Sequence, residues 1–254
     1  HPPESSVTGG VWNAAPMSDT REIDPAWLAT TWFLDHDAPS VVAFVDEHTA
    51  GIAEGDDPEL VRQRAVALFH AVREENSPSS RPIAPYRRTH VPLDQRASTV
   101  VGTSSNWCVP KAVLLTAAAR RAGIPARLGF ADVRNHLTSA KLSERMATDL
   151  FVWHGYSELL LDGAWRKVSS AFNNELCERF GTKVLEFDGT ADALMHPFDT
   201  AGRRHMEYVA QRGSFDDLPL EQILATFREV YPGDMVTDAP AGSGAAAAGD
   251  DAFA

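Results

Sequence analysis

The sequence predicts an α+β fold in which one helix packs on an antiparallel sheet. A run of good helix formers from Cys108 to Ala122 closes on Gly123, with Pro125 two residues beyond, the pattern of a helix ended by a glycine cap. Three stretches of strand composition follow, Ala126 to Val133, Phe151 to Leu161 and Trp165 to Phe172. Asp162-Gly163 joins the last two, and Asp-Gly between apolar runs favours the type I′ turn of a two-residue hairpin. A helix followed by a meander, without regular strand–helix alternation, is α+β rather than α/β organisation.

From the N-terminal end, His1 to Pro16 is rich in Pro, Ser and Gly, and Met17-Ser18-Asp19-Thr20 reads as a natural start. Residues 1–16 are therefore expected to be a disordered leader or expression remnant. Asp24-Pro25-Ala26-Trp27 has the form of a helix start with Pro at the first position. Pro58 to Arg73 carries Leu60, Val61, Ala65, Leu68, Phe69 and Val72 at amphipathic helical spacing. Asn76 to Pro92 holds four prolines and is expected to be loop or extended chain. In the Cys108 helix, Pro110 is tolerated because it lies in the first turn. After Asn173 the chain reads as mainly helical or irregular, with Pro219 to Val230 a final helix. Ala239 to Ala254 is Ala/Gly-rich and is expected to be a disordered tail. The expected organisation is one domain over 17–238, with a core over about 60–175 and a helical extension over about 176–232.

Composition narrows the function classes. The 254 residues, 44% of them hydrophobic, can bury one sizeable core. A net charge of −12 repels phosphate backbones and argues against nucleic acid as a partner. No apolar run of about eighteen residues exists, so no membrane span is expected. Two cysteines, Cys108 and Cys177, fit a reducing compartment, and the cytoplasm is the expected location. The nine histidines form no His-Glu-x-x-His pair, and there is no Cys-x-x-Cys, phosphate loop or dinucleotide fingerprint; no metal and no cofactor are expected.

Chemistry concentrates in Asn106-Trp107-Cys108-Val109-Pro110-Lys111-Ala112 and in His154, forty-six residues after the cysteine. A helix start is electropositive, because its first N–H groups lack intrahelical partners and the peptide dipoles add there. A thiol in that position has its thiolate favoured. A strand histidine reaching it supplies the acid and base of covalent catalysis. The hairpin then fixes which residues share the histidine's face. A turn at Asp162-Gly163 pairs Leu161 with Ala164, hence Tyr156 with Ser169 and His154 with Ala171, so His154, Tyr156, Ser169, Ala171 and Asn173 face one way. Ser169 and Asn173 are diagonal neighbours of His154, roughly 7–8 Å away between backbones; either side chain can reach the ring, and Ser169 is expected near solvent.

These residues resemble the transglutaminase-like superfamily, bacterial members included, whose core is shared with papain-type thiol proteases. The Cys108 helix, the link Arg121-Ala122-Gly123-Ile124-Pro125-Ala126-Arg127, the histidine strand and the Asp162-Gly163-Ala164-Trp165 hairpin carry the resemblance, over Phe69 to about Asn173. It implies a papain-like core, to which the sequence adds extra helical segments at both ends, the one after Asn173 with no counterpart in the family. It also implies catalytic Cys, His and Asp in that chain order. Cys108 and His154 match the first two places. The third, fifteen residues after the histidine, is Ser169, a neutral group that can orient the ring but not stabilise its charge as a carboxylate does. Asn173 is the alternative orienting group, as in papain-like enzymes.

Asn106 is a candidate oxyanion donor or a helix N-cap, and Trp107 a wall over the thiol or a core residue. The polar run Asp132-Val133-Arg134-Asn135-His136 suits a pocket lining, with Asp132 and Asn135 as substrate contacts, or a solvated loop. The expected function is cysteine-dependent acyl transfer on a peptide, protein or small-molecule amide, by hydrolysis or by transfer to an amine. The alternatives are a specialised amide- or ester-forming or cleaving enzyme of small-molecule metabolism, and a non-catalytic binding module on the same scaffold.

Overall fold

The structure, a computed structural model, describes residues 23–75, 95–101, 103, 107–137, 143–144 and 146–232. Residues 1–16, the proline-rich stretch 76–92, Asn106 and the tail 239–254 lie outside the described residues. The helices are α1 (Pro39–His48), α2 (Pro58–Glu75), α3 (Ala97–Val100), α4 (Cys108–Arg121), α5 (Asn174–Phe180) and α6 (Leu220–Val230). The strands are β1 (Ala126–Asn135), β2 (Leu150–Leu161), β3 (Ala164–Val168) and β4 (Met206–Phe215). No helix among the described residues is long and apolar enough to cross a membrane.

Helix α4 is the centre of the molecule. Every residue from Val109 to Arg120 is buried, because α1, α2 and α3 pack on one side of it and β1 and β2 on the other. An apolar surface all round is what such a helix needs, and its Val, Leu and Ala content supplies it. Its C-terminal end is the glycine cap expected from sequence: Gly123 has φ 77°, and Ile124 N–H donates to the Ala119 carbonyl at 2.9 Å. Thr116 Oγ1 donates to Ser157 Oγ at 2.9 Å, and that hydroxyl donates to the Ala112 carbonyl at 3.1 Å. This polar chain fixes the helix against β2 inside an otherwise apolar contact.

The four strands form an antiparallel sheet in the order β3-β2-β1-β4. Asp162 and Gly163 have φ 52° and 73°, as a type I′ turn requires, and the register runs from Leu161↔Ala164 to Ser157↔Val168. Strand β3 stops at Val168 rather than continuing to Phe172. From there Ser169 N–H donates to the Ala193 carbonyl, and Ala193 N–H to the Lys167 carbonyl, both at 2.8 Å. The later segment thus draws the chain away from β2.

Three further elements differ from the sequence reading. The chain after Asn173 is not only helical or irregular, because β4 pairs with β1 along its length. Its sequence Met-Glu-Tyr-Val-Ala-Gln-Arg-Gly-Ser-Phe lacks strict apolar alternation, and Val209 is 48% exposed, as an edge strand permits. Helix α1 was not read from the sequence, although Pro39 at its first turn is a start signal. The expected helix at Asp24 is a single 3-10 turn, Pro25–Trp27, capped by Asp24 and burying no residue; without a packed face it does not extend.

Candidate active site

Cys108 is the first residue of α4, partly exposed and not in a disulfide. Trp107 precedes it in extended conformation and provides no side-chain cap; its ring leans on Phe227 of α6, 6.2 Å away. Strand β2 crosses the first turn of α4. A Cβ on Gly155 would lie 3.1 Å from Val109 Cα and 3.4 Å from the Cys108 carbonyl oxygen. Absence of a side chain at the residue after the histidine therefore permits this close approach.

His154 is buried, and burial pushes its pKa down to about 4, because a charged ring in a low-dielectric setting loses its hydration. The imidazole is neutral at pH 7. Ser169 Oγ lies 3.5 Å from His154 Nε2, at the long limit of a hydrogen bond. The hairpin-face reading thus brings Ser169 to the ring, but Ser169 is 0% exposed rather than near solvent, and its backbone N–H pairs with the Ala193 carbonyl. Tyr208 of β4 meets the ring edge-on at 6.2 Å between centroids. Its phenol, pushed up by burial, accepts from the Met195 N–H at 3.4 Å.

Just before His154 the strand is irregular. The β1–β2 register shifts between Ala131 and Val133, opposite Phe151 to His154, the signature of a β-bulge. Among the described residues the non-glycine positions with positive φ are Ala147, Trp153 and Asp162, and of these only Trp153, at φ 59°, lies inside a strand. That conformation costs an L residue roughly 1–2 kcal/mol. Both backbone N–H groups at the bulge are satisfied by side chains: Val152 N–H donates to Tyr231 Oη at 2.9 Å, and Trp153 N–H to Asp132 Oδ1 at 3.0 Å.

The other sequence candidates make defined hydrogen bonds. The Asp132 carboxylate accepts from Trp153 N–H at 3.0 Å and from Arg212 Nε and Nη2, both at 2.8 Å. Asn135 Oδ1 accepts from Leu137 N–H at 3.0 Å, closing the turn after β1. Asn173 caps α5, its Oδ1 accepting from Leu176 N–H at 3.0 Å. Cys177 is fully buried and its thiol is pushed up by burial. Sequence reasoning passed over Lys111, one helical turn from Cys108 and fully buried, which donates to the Arg73 carbonyl at 2.8 Å and lies 3.5 Å from that of Ala171. Burial brings its pKa down to about 7. A lysine amid helix formers carries no sequence signal of burial, and likewise nothing local marks Arg212 as a partner of Asp132, eighty residues away.

Residues 46–170, which include Cys108, His154 and Ser169, match the transglutaminase-like superfamily. No curated protein matches the chain. Among solved structures, one described as a candidate cysteine protease of Cytophaga hutchinsonii is similar, at 13% identity and a TM-score of 0.38. The match covers 74% of this chain and 53% of that one, so the chain spans about half the length of that protein.

Proposed function

We propose that this protein is a cysteine-dependent acyl-transfer enzyme acting on an amide or peptide, with Cys108 as nucleophile and His154 as acid and base. The observation that supports it most is the crossing of the histidine strand over the first turn of the α4 helix that begins at Cys108, within a transglutaminase-like core.

In the resting state His154 is neutral and acts as base. As Cys108 Sγ bonds to the substrate carbonyl carbon, the ring takes the thiol proton and the carbonyl π electrons move onto oxygen. The partial positive charge at the α4 start favours that oxyanion. Collapse of the intermediate breaks the C–N bond, and the imidazolium returns its proton to the leaving amine. Water or a second amine then attacks the thioester, giving its proton to His154, and the departing sulfur recovers it. Hydrolysis and transfer differ only in this last nucleophile.

Ser169 at the third position favours the narrower reading of a specialised amide- or ester-processing enzyme of small-molecule metabolism. A neutral hydroxyl beside the ring leaves the transient imidazolium less stabilised than a carboxylate would. Such a site suits an acyl donor with a good leaving group better than a plain peptide bond. Labelling by iodoacetamide across pH tests the core reading. Cys108 should label fast with an apparent pKa below about 8.5, and His154→Ala should slow it; a Cys108 that labels like a free thiol, indifferent to His154, would overturn the proposal.

A further inference from the structure

We propose that Asp132 and Arg212 form a latch that positions His154 by holding the bulge in β2, and that Arg212, on a strand beyond the family match, is a positioning residue for catalysis. This rests on the reading of Cys108 and His154 as the catalytic pair. Side chains alternate between the two faces of a strand, so an extra residue in β2 decides which face every later side chain presents. His154 is the first residue after the left-handed Trp153. If Trp153 relaxed to an ordinary extended φ, the bulge would close and His154 would turn away from its present neighbours, Ser169 and Tyr208.

The latch opposes that relaxation at several atoms. Asp132 Oδ1 holds the Trp153 N–H at 3.0 Å. Arg212 grips both oxygens of the same carboxylate at 2.8 Å, the bidentate geometry that fixes direction as well as charge. The Arg212 guanidinium also lies over the Trp153 ring, 5.2 Å from its centroid, and that ring packs on Phe130 and Phe215. Asp132 is 7% exposed and Trp153 3%, so water does not replace these contacts cheaply. On the other side of the bulge, Tyr231 Oη accepts from Val152 N–H at 2.9 Å and lies 3.3 Å from the Leu150 carbonyl. Strained backbone held by surrounding contacts is a frequent property of functional sites. Arg212 and Tyr231 both come from beyond residue 170, where the family match ends.

The test is iodoacetamide labelling of Cys108 from about pH 5 to pH 9, in a Cys177→Ala background so that one thiol reports, with circular dichroism to verify folding. His154→Ala sets the scale. Arg212→Met and Asp132→Asn should shift the labelling profile in the direction of His154→Ala and slow labelling at pH 7 by roughly three- to tenfold, the size expected for a lost orienting hydrogen bond. Arg212→Lys, which keeps the charge but not the fork, should fall between them and wild type. Tyr231→Phe, which removes one hydroxyl, should slow labelling about twofold. If Arg212→Met does not fold, the lysine and phenylalanine variants carry the same readout. Folded latch variants with the wild-type profile, beside a shifted His154→Ala, overturn the latch alone. An unshifted His154→Ala profile overturns the catalytic pair, and the latch proposal with it.

Discussion

At the scale of single residues, the two cysteines should behave oppositely. Cys108 is partly exposed at a helix start, whereas Cys177 is fully buried with its thiol pushed up. Cys108→Ala should abolish activity with the fold retained, and Cys177→Ala should leave activity near wild type; peptide mapping after labelling and a turnover assay check both. Ser169 lies only at the long limit of a hydrogen bond to the ring, so Ser169→Ala should slow turnover by roughly two- to fivefold. Ser169→Asp should do more to pH dependence than to rate. A carboxylate there favours the protonated ring and raises the His154 pKa from its present value of about 4. With the neutral ring as the proposed base, the acid limb of the pH–rate profile should move to higher pH; an unmoved limb would mean that position 169 does not govern the ring.

At the scale of elements, helix α4, strand β2 and the Asp162-Gly163 turn were legible because each carries local chemistry: a glycine cap, β-rich composition and a type I′ dipeptide. Ser169 was legible as a consequence of register. Strand β4 was not, since an edge strand needs no apolar alternation, and its partnership with β1 is written in neither strand alone. The helix–strand crossing gives a discriminating pair of variants. A Cβ at Gly155 meets backbone of α4 at 3.1 Å, while one at Gly129 would overlap the Tyr156 ring at 2.2 Å. Both alanine substitutions should cost about 1–3 kcal/mol by overpacking, measured by thermal unfolding, but only Gly155→Ala should also slow Cys108 labelling. Lys111 links α4 to the end of α2 through the Arg73 carbonyl. Its folded pKa of about 7 lies below the ordinary 10.5, so between those values the unfolded chain holds a proton that the folded one releases. Stability should therefore rise from pH 7 toward pH 10, and Lys111→Met should remove that rise; a slope unchanged in the methionine variant would reject the assignment.

At the scale of the molecule, the segment beyond the family match packs against residues of the proposed site and of the strand that carries His154. Phe227 packs on Trp107, Tyr208 on His154, Tyr231 on the β2 backbone and Arg212 on Asp132. Arg120 joins the ends of the fold, donating to the carbonyls of Ala29, Ala126 and Asp216. Acid should loosen this assembly. Burial holds His154 and His205 at about 4 against an ordinary 6.5, so the unfolded chain takes up protons between those values that the folded chain refuses. Stability is then full above pH 6.5 and lost progressively toward pH 4. Unfolding midpoints measured across this window should fall, and a His154→Gln/His205→Gln double variant should fall less steeply. Acyl transfer by this protein requires an acyl group carried on Cys108. Incubation with an activated acyl ester, acid quench and mass spectrometry of the peptides tests it most directly. A hydroxylamine-labile acyl adduct is expected on the Cys108 peptide, absent in Cys108→Ala and formed much more slowly in His154→Ala. An adduct confined to Cys177 or to lysines, or one on Cys108 that forms at the same rate without His154, would contradict it.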